Sequence, residues 1–228
     1  MWLSQGAEGG QNFPIIIAKK PYTYEGMHAR FIVLEGPDGS GTTSHTGLLA
    51  ESLRKAGYDV LLTFQPSHGP IGKFIRSSLR EGGLSASSLQ LLFSADRAWH
   101  MDTVVKPALQ EGKMVICDRY DLSTVIYGEA SGVSPEWLRT VNDAFPRPDV
   151  LLLMLPPFST CMERLNLRDK DILEQDDSLQ KRVYESYRQA SLTLPSECVV
   201  DTSGSMEETA AHILRIVKKE LPVLAPSL

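Results

Sequence analysis

The chain has 228 residues, of which 42% are hydrophobic and 22% charged, and its formal net charge is −5. This length suits one sizeable domain, and an acidic chain of ordinary composition is not expected to work mainly by coating nucleic acid. The longest apolar run near the start, residues 13–18, is far shorter than the ~20 residues that span a bilayer. We therefore expect a cytoplasmic protein with no nucleic acid and no membrane as partners.

Residues 1–29 differ from the rest, because glycines lie there among polar residues and Pro14 and Pro21 bracket a short apolar stretch. We interpret this segment as an N-terminal extension and residues 30–228 as the main domain. The extension could be a poorly ordered tail or a clasp formed by residues 13–17. The true start codon is open too, since Met27 is an alternative.

From Arg30 onward, short β-branched or apolar runs alternate with longer segments of helical period, which indicates an α/β fold with a five-stranded parallel sheet flanked by helices. The predicted strands are residues 31–34, 60–64, 114–117, 150–154 and 198–200. The predicted helices are residues 42–56, 71–79, 85–110 with a bend before Pro107, 135–144, 159–167 and 174–193. A last helix is predicted from the apolar stripe of Met206, Ala210, Ile213, Leu214, Val217 and Leu221.

A glycine-rich loop lies between the first predicted strand and the first predicted helix. Gly36, Gly39, Ser40 and Gly41 form a loop whose backbone N–H groups can converge on phosphate oxygens without side-chain obstruction. Thr43 occupies the Ser/Thr position whose hydroxyl reaches a Mg²⁺ ion. The strand–loop–helix context predicts a three-layer P-loop NTPase fold and binding of ATP phosphates.

Thr42 stands in this loop where the motif requires a lysine. That lysine normally neutralises charge on the transferred phosphate. Removing one well-placed electrostatic donor costs about 3–4 kcal/mol of transition-state stabilisation. The loop taken alone is therefore open to a second interpretation, a glycine-rich strand–helix turn without a ligand.

Asp118 and Arg119 follow the third predicted strand, at the edge where parallel sheets bind ligands. They could form a structural ion pair, or Asp118 could lie near the metal while Arg119 grips a phosphate. Upstream, Phe93 and Arg97 share one side of a helix, where they could stack on a base and bond to its edge. A core phenylalanine and a solvated arginine are the alternative.

The segment 164–177 is strongly charged and lies between two predicted helices. A solvated surface loop and a lid that closes cationic groups over a nucleotide are both open. The three cysteines, Cys117, Cys161 and Cys198, lack metal-ligand spacing and are expected to be reduced thiols.

Together these features resemble the thymidylate kinase family over residues 30–221. The resemblance rests on the order of segments 36–43, 65–66, 91–97, 118–127, 147–149, 164–177 and 201–203. It implies a nucleoside-monophosphate kinase that transfers a phosphoryl group from Mg·ATP to dTMP, giving dTDP and ADP. It also implies a homodimer.

Roles for the acceptor site are implied by the same resemblance. Phe93 would stack on thymine, Arg97 and Thr124 would contact its edge, and Tyr127 would lie beside the sugar and disfavour a ribose. Gln65 belongs to the same substrate site and departs from the family, in which many members have Glu and an acid is expected near the metal.

Roles for the phosphates and for adenine are implied in the same way. Asp38 would point toward the acceptor 3′-hydroxyl, and Arg119 and Arg76 would hold the acceptor phosphate. Ser205 and Met206 would flank the adenine of ATP.

Family members differ in where they keep an extra arginine, either in the loop directly after the acidic residue or in the lid. The loop position here is Gly39, so the chain resembles the lid-arginine type. We hypothesise that Arg168, with Arg164 or Lys170, replaces the missing lysine charge when the lid closes. The lid departs from the family at Ile172, where the common pattern has an arginine.

Three functions remain open at this point: an active thymidylate kinase with rewired charge, a related kinase for dUMP or another deoxynucleotide, and a nucleotide-binding protein without useful catalysis. The retention of Asp38, Thr43, Asp118, Arg119 and Arg97 argues against the last of these.

Overall fold

The computed structural model describes residues 29–220, with the side chain of residue 220 left out. The predicted N-terminal extension lies outside the described residues except for Ala29, which is buried at the start of the sheet. Leu221 of the predicted apolar stripe also lies outside them.

Five parallel strands form one sheet in the order β2-β3-β1-β4-β5. The strands are β1 (Arg30–Glu35), β2 (Val60–Phe64), β3 (Met114–Asp118), β4 (Val150–Met154) and β5 (Val199–Val200). All five were predicted, although β5 begins one residue later because Cys198 lies in a 3₁₀ turn. The predicted α/β fold class is confirmed.

Nine α-helices connect these strands within the described residues. They are α1 (Thr42–Lys55), α2 (Pro70–Glu81), α3 (Ala86–His100), α4 (Lys106–Gln110), α5 (Asp121–Ala130), α6 (Pro135–Asn142), α7 (Phe158–Leu165), α8 (Asp177–Ser191) and α9 (Met206–Glu220). A π-helical segment, Met101–Val105, joins α3 to α4 in place of the predicted bend before Pro107.

Two apolar layers enclose the sheet, because alternate side chains of β1 point to opposite faces. Ile32 and Leu34 pack with residues of α1 and α9 on one face. Phe31 and Val33 pack with the π-helical segment and α4 on the other. The carboxyl ends of β1 and β3 are therefore held rigidly beneath the loops that follow them.

Helix α5 was not predicted, and α8 begins three residues later than predicted. Leu122, Val125, Ile126 and Tyr127 of α5 are all buried, so the helix lacks the polar face that produces a periodic pattern. Helix α8 begins at Asp177 because the Asp176 side chain accepts hydrogen bonds from the first-turn N–H groups.

Two further expectations concern thiols and membranes. Cys117, Cys161 and Cys198 are all free. Among residues 29–220, no helix has the length and apolar character needed to cross a membrane.

Candidate active site

A cavity of about 1040 Å³ lies at the carboxyl ends of β1, β2 and β3. Its wall includes the glycine-rich loop, the start of α1, one side of α3 and α5, and the segment between α7 and α8. Ligands of open parallel sheets bind at this edge. The cavity therefore brings the predicted phosphate loop, pyrimidine site and lid together.

The glycine-rich loop has a backbone that requires glycine at two positions. Gly39 and Gly41 have φ angles of +76° and +90°, in the left-handed region that glycine favours. A Cβ atom on Gly39 would also lie 2.3 Å from the carbonyl oxygen of Cys161 in α7. Gly41 precedes the first turn of α1 without a capping side chain, so the N–H groups of that turn can meet an anion.

Thr43 and Asp118, the two residues predicted to hold a metal, are in contact, and the Thr43 hydroxyl donates to Asp118 Oδ2 at 2.5 Å. Asp118 Oδ1 is buried and has no hydrogen-bond partner among the described residues. Two oxygen donors beside a phosphate loop fit Mg²⁺, which takes few protein ligands and completes its shell with phosphates and water. Among residues 29–220, no cluster of three His, Cys, Asp or Glu side chains offers another metal site.

Asp38 and Arg119 form an ion pair across the cavity floor, with Arg119 Nη2 donating to Asp38 Oδ1 at 2.6 Å. Arg119 also donates to the carbonyl oxygen of Gly36 at 2.6 Å, and its φ is +66°. Burial alone would lower the pKa of Arg119, but Tyr127 and Asp38 beside it raise that pKa well above the ordinary value. The guanidinium is thus a fixed cation that joins the phosphate loop to β3.

Arg97 is buried under the pyrimidine side of the cavity and is only 1% exposed. Its Nε donates to Gln65 Oε1 at 3.0 Å and its Nη1 to Asn142 Oδ1. Its Nη2 donates to the Tyr120 carbonyl at 2.7 Å and to Thr124 Oγ1 at 2.8 Å. A guanidinium has five N–H groups, and these four bonds use one on Nε, one on Nη1 and two on Nη2. The second N–H of Nη1 therefore has no acceptor among the described residues.

That arrangement corrects the alternative of a solvated Arg97. Phe93 lies one helical turn before Arg97 and lines the same cavity. None of the salt bridges among residues 29–220 includes Arg97, and burial lowers its pKa. A cation held only by neutral acceptors, with one N–H left over, can bond to the carbonyl of a pyrimidine edge.

The other predicted acceptor residues also line the cavity. Tyr127 lies beneath Arg119, with the guanidinium carbon 5.7 Å from its ring centre. Arg76 donates to the Pro66 carbonyl at 2.6 Å and lies over the ring of Phe64. The side chain of Gln65 bonds to Arg97 and His100, so it serves the pyrimidine side of the cavity.

The two lid arginines have different partners. Arg164 donates to the carbonyls of Thr202 at 2.7 Å and Gly39 at 3.2 Å, which holds it beside the phosphate loop. Arg168 is paired with the buried carboxylate of Glu174, and its own side chain is 54% exposed. Lys170 is not among the residues that line the cavity.

The predicted adenine residues are separated by the structure. Met206 lines the cavity together with Thr202 and Gly204, and is 50% exposed. The Ser205 hydroxyl instead caps α9 by accepting from the Glu208 N–H at 3.2 Å.

Two residues of the site were missed by the sequence reasoning. Asn142 accepts from Arg97, and Gln180 of α8 donates to Asp38 Oδ2 at 3.2 Å. Both are uncharged and stand in ordinary helical segments, so no motif marks them. Only the fold brings them into contact with Arg97 and Asp38, which line the cavity.

Comparison with known proteins adds a family to this geometry. The family model described as thymidylate kinase matches residues 34–213. A probable thymidylate kinase of Pyrococcus horikoshii is 40% identical over 203 residues, covering 86% of this chain and 98% of that protein. A thymidylate kinase of Akkermansia muciniphila is 34% identical over 197 residues, covering 85% of this chain and 93% of the relative.

Proposed function

Because the chain belongs to the thymidylate kinase family, we propose that it transfers the γ-phosphoryl group of ATP to dTMP, giving dTDP and ADP. The observation that carries the proposal is that one cavity contains both a phosphate-binding loop and a buried guanidinium poised for a pyrimidine carbonyl. The loop would bind the phosphates of ATP, and Arg97 with Phe93 would bind the pyrimidine base.

The donor half of the cavity would hold ATP by its phosphates. The N–H groups at the start of α1 would donate to the phosphates, and the partial positive charge of the helix end would favour the anion. Thr43 and Asp118 would hold a Mg²⁺ ion, which would supply positive charge to neutralise the phosphates during transfer. The partnerless Asp118 Oδ1 supports this assignment, because a buried carboxylate oxygen is costly without a partner.

The acceptor half would orient dTMP. Phe93 would offer a ring face to the base, and the remaining N–H of Arg97 would meet a carbonyl oxygen at its edge. Thr124 Oγ1 accepts from Arg97, so its own hydroxyl hydrogen is left for the base. Arg119 and Arg76 lie where the acceptor phosphate would enter, and Tyr127 underlies Arg119 beside the sugar.

Asp38 need not act as a general base in this reaction. The phosphate oxygen that attacks the γ-phosphorus is already anionic at neutral pH, so positioning and charge neutralisation are the main tasks. Asp38 is paired with Arg119 and Gln180, which fits a carboxylate that orients the cation and the acceptor 3′-hydroxyl.

Arg164 is the best-placed cation to replace the lysine that the phosphate loop lacks at position 42. Its contacts with Gly39 and Thr202 hold it at the loop before any ligand binds. Arg168 would have to leave Glu174 before reaching a phosphate, so it can add charge only when the lid closes. The revised assignment gives Arg164 the larger part of the charge and Arg168 a smaller one.

Three broader assignments complete the proposal. Residues 30–228 form the kinase domain with its lid at about 164–177, and residues 1–29 form an extension. The free thiols are consistent with a reducing compartment such as the cytoplasm. A homodimer is supported by Phe74 of α2 and Leu91 of α3, large apolar side chains that are 53% and 47% exposed on two helices in contact.

The test is to incubate the full chain with Mg·ATP and a panel of dTMP, dUMP, dCMP and dGMP, and to follow ADP release. We expect dTMP to have the highest kcat/KM. Arg97→Leu should lower kcat/KM for dTMP by about 100-fold or more, because the site then leaves a base carbonyl unpaired.

Arg188→Ala is the control and should leave activity unchanged, since among residues 29–220 Arg188 forms an ion pair only with surface Glu185 on α8. Preferred turnover of dUMP or another acceptor would assign a different substrate. No turnover with any member of the panel would assign nucleotide binding alone.

A further inference from the structure

Beneath the pyrimidine site, a chain of hydrogen bonds runs from Arg97 to β2. Gln65 Oε1 accepts from Arg97 Nε at 3.0 Å, and Gln65 Nε2 lies 3.2 Å from His100 Nδ1. His100 Nε2 lies 2.7 Å from Thr63 Oγ1. Gln65, Arg97 and His100 are 6%, 1% and 1% exposed, so water is not at hand to replace the bonds among these three side chains.

The guanidinium fixes every proton along this chain, because it can only donate. The atom of Gln65 that faces Arg97 must therefore be the amide oxygen, and the amide nitrogen must face His100. The amide nitrogen also only donates, so His100 Nδ1 must be unprotonated. The hydrogen of the neutral ring is then on Nε2, where Thr63 Oγ1 accepts it.

The surroundings of His100 agree with a neutral ring. Burial lowers the pKa of His100 to about 4; Asp96 acts in the opposite direction, and Arg97 and His68 reinforce the effect of burial. Asp96 is itself held by the N–H and the hydroxyl of Ser67, both at 2.6 Å.

We propose that His100 is a positioning residue for pyrimidine recognition, acting through Gln65 on Arg97. An imidazole that accepts at Nδ1 keeps the Gln65 oxygen turned toward the guanidinium. Without that acceptor the Gln65 amide nitrogen is buried and unpaired, so the side chain is expected to turn away from Arg97 toward another partner for that nitrogen. The guanidinium then loses its Nε anchor, and the N–H that would meet the base carbonyl loses its direction.

The inference rests on the proposed function, because it assigns a role in binding the same acceptor. His100 does not line the cavity and touches no substrate. Its effect should therefore fall on the acceptor and spare the donor.

The first experiment compares His100→Leu with His100→Gln in the full chain. Leucine removes the acceptor, so KM for dTMP should rise about tenfold while KM for ATP stays within about twofold. Glutamine supplies an oxygen for Gln65 and an amide hydrogen for Thr63, so it should restore most of the dTMP affinity. His212→Leu, on the exposed side of α9, is the matched control and should change neither KM.

An unchanged KM for dTMP in His100→Leu overturns the inference. So does a His100→Gln variant that is impaired as strongly as the leucine variant while both melt at the wild-type temperature. Wild-type protein without dTMP kinase activity would instead overturn the proposed function.

A second experiment needs no activity and no leucine variant. A carboxylate at position 65 can only accept hydrogen bonds, so Gln65→Glu should favour protonation of His100 Nδ1. The pKa of His100, followed by NMR of the imidazole, should then rise from about 4 to above about 6. A pKa that stays near 4 in this variant would show that the ring does not sense residue 65, and the relay would be wrong.

Discussion

The lysine position of the phosphate loop holds the neutral side chain of Thr42, so the cleft takes its positive charge from other parts of the chain. Three of the arginines that line the cavity are candidates for this charge, and each has different partners. Arg119 is locked to Asp38 and Gly36, Arg164 to Gly39 and Thr202, and Arg168 to the lid carboxylate of Glu174. Arg119 and Arg164 both combine a fixed position with direct contact to the loop, but Arg119 is paired with the Asp38 carboxylate, whereas Arg164 donates only to neutral oxygens among the described residues.

Arg164→Ala is expected to lower kcat by about 100-fold or more, because it removes one preorganised cation from a site that already lacks the usual lysine. Arg168→Ala should have a smaller effect, since Arg168 must first leave Glu174. Steady-state rates of dTDP formation measure both, with Arg188→Ala as the surface control. Unchanged kcat in both lid variants would show that neither arginine contributes to catalysis.

Helix α8 shows how an element far along the chain completes the site. Its N-terminal cap, Asp176, accepts from the backbone N–H groups of Ser178 and Leu179, both at 3.0 Å. One turn into the helix, Gln180 donates to Asp38. The cap therefore fixes the first turn of the helix that reaches the phosphate loop.

Asp176→Ala should lower the free energy of unfolding, because two N–H groups of the first turn lose their acceptor. Urea denaturation measures this loss, and Asp176→Asn should recover most of it. An alanine variant as stable as the wild type would mean that the cap does not stabilise α8.

The elements differ in how well the sequence predicted them. The phosphate loop and the five strands were predicted because glycine spacing and apolar runs are local patterns. Helix α5 was missed because its residues are buried on almost every side. Asn142 could not be found at all, since its contact with Arg97 joins two helices that are distant in the chain.

At the scale of the whole molecule, the stability of the folded state depends on pH through His100. Its pKa is about 4 when folded and 6.5 when unfolded, so the unfolded chain binds more protons between these values. The contribution of neutral His100 to the free energy of unfolding is fully present above about pH 6.5 and is lost as pH falls through about 4. Its size is on the order of 3 kcal/mol.

Replacing His100 by Gln should flatten this acid dependence. Thermal or urea unfolding from pH 7 to pH 4.5 should show the wild type losing more stability than His100→Gln. Parallel loss in the two proteins would show that other groups set the acid limit. Asp171 acts in the opposite direction, since burial raises its pKa to about 6 and its protonation favours the folded state.

The proposed dimer can be tested at the exposed apolar residues of α2 and α3. Phe74→Glu combined with Leu91→Glu should turn a dimer into a monomer, because two charges would then lie in an apolar contact. Light scattering after gel filtration measures the mass, with Trp137→Glu as a control at another exposed aromatic side chain. A double variant that remains dimeric would place the interface elsewhere.

The contact of Gly39 with Cys161 also bears on how the two types of this family are related by descent. The other type has an arginine at the position of Gly39, but here any side chain would meet the backbone of α7, in a backbone conformation that disfavours one. A single substitution would therefore not carry this chain from one type to the other. The loop and α7 would have to change together.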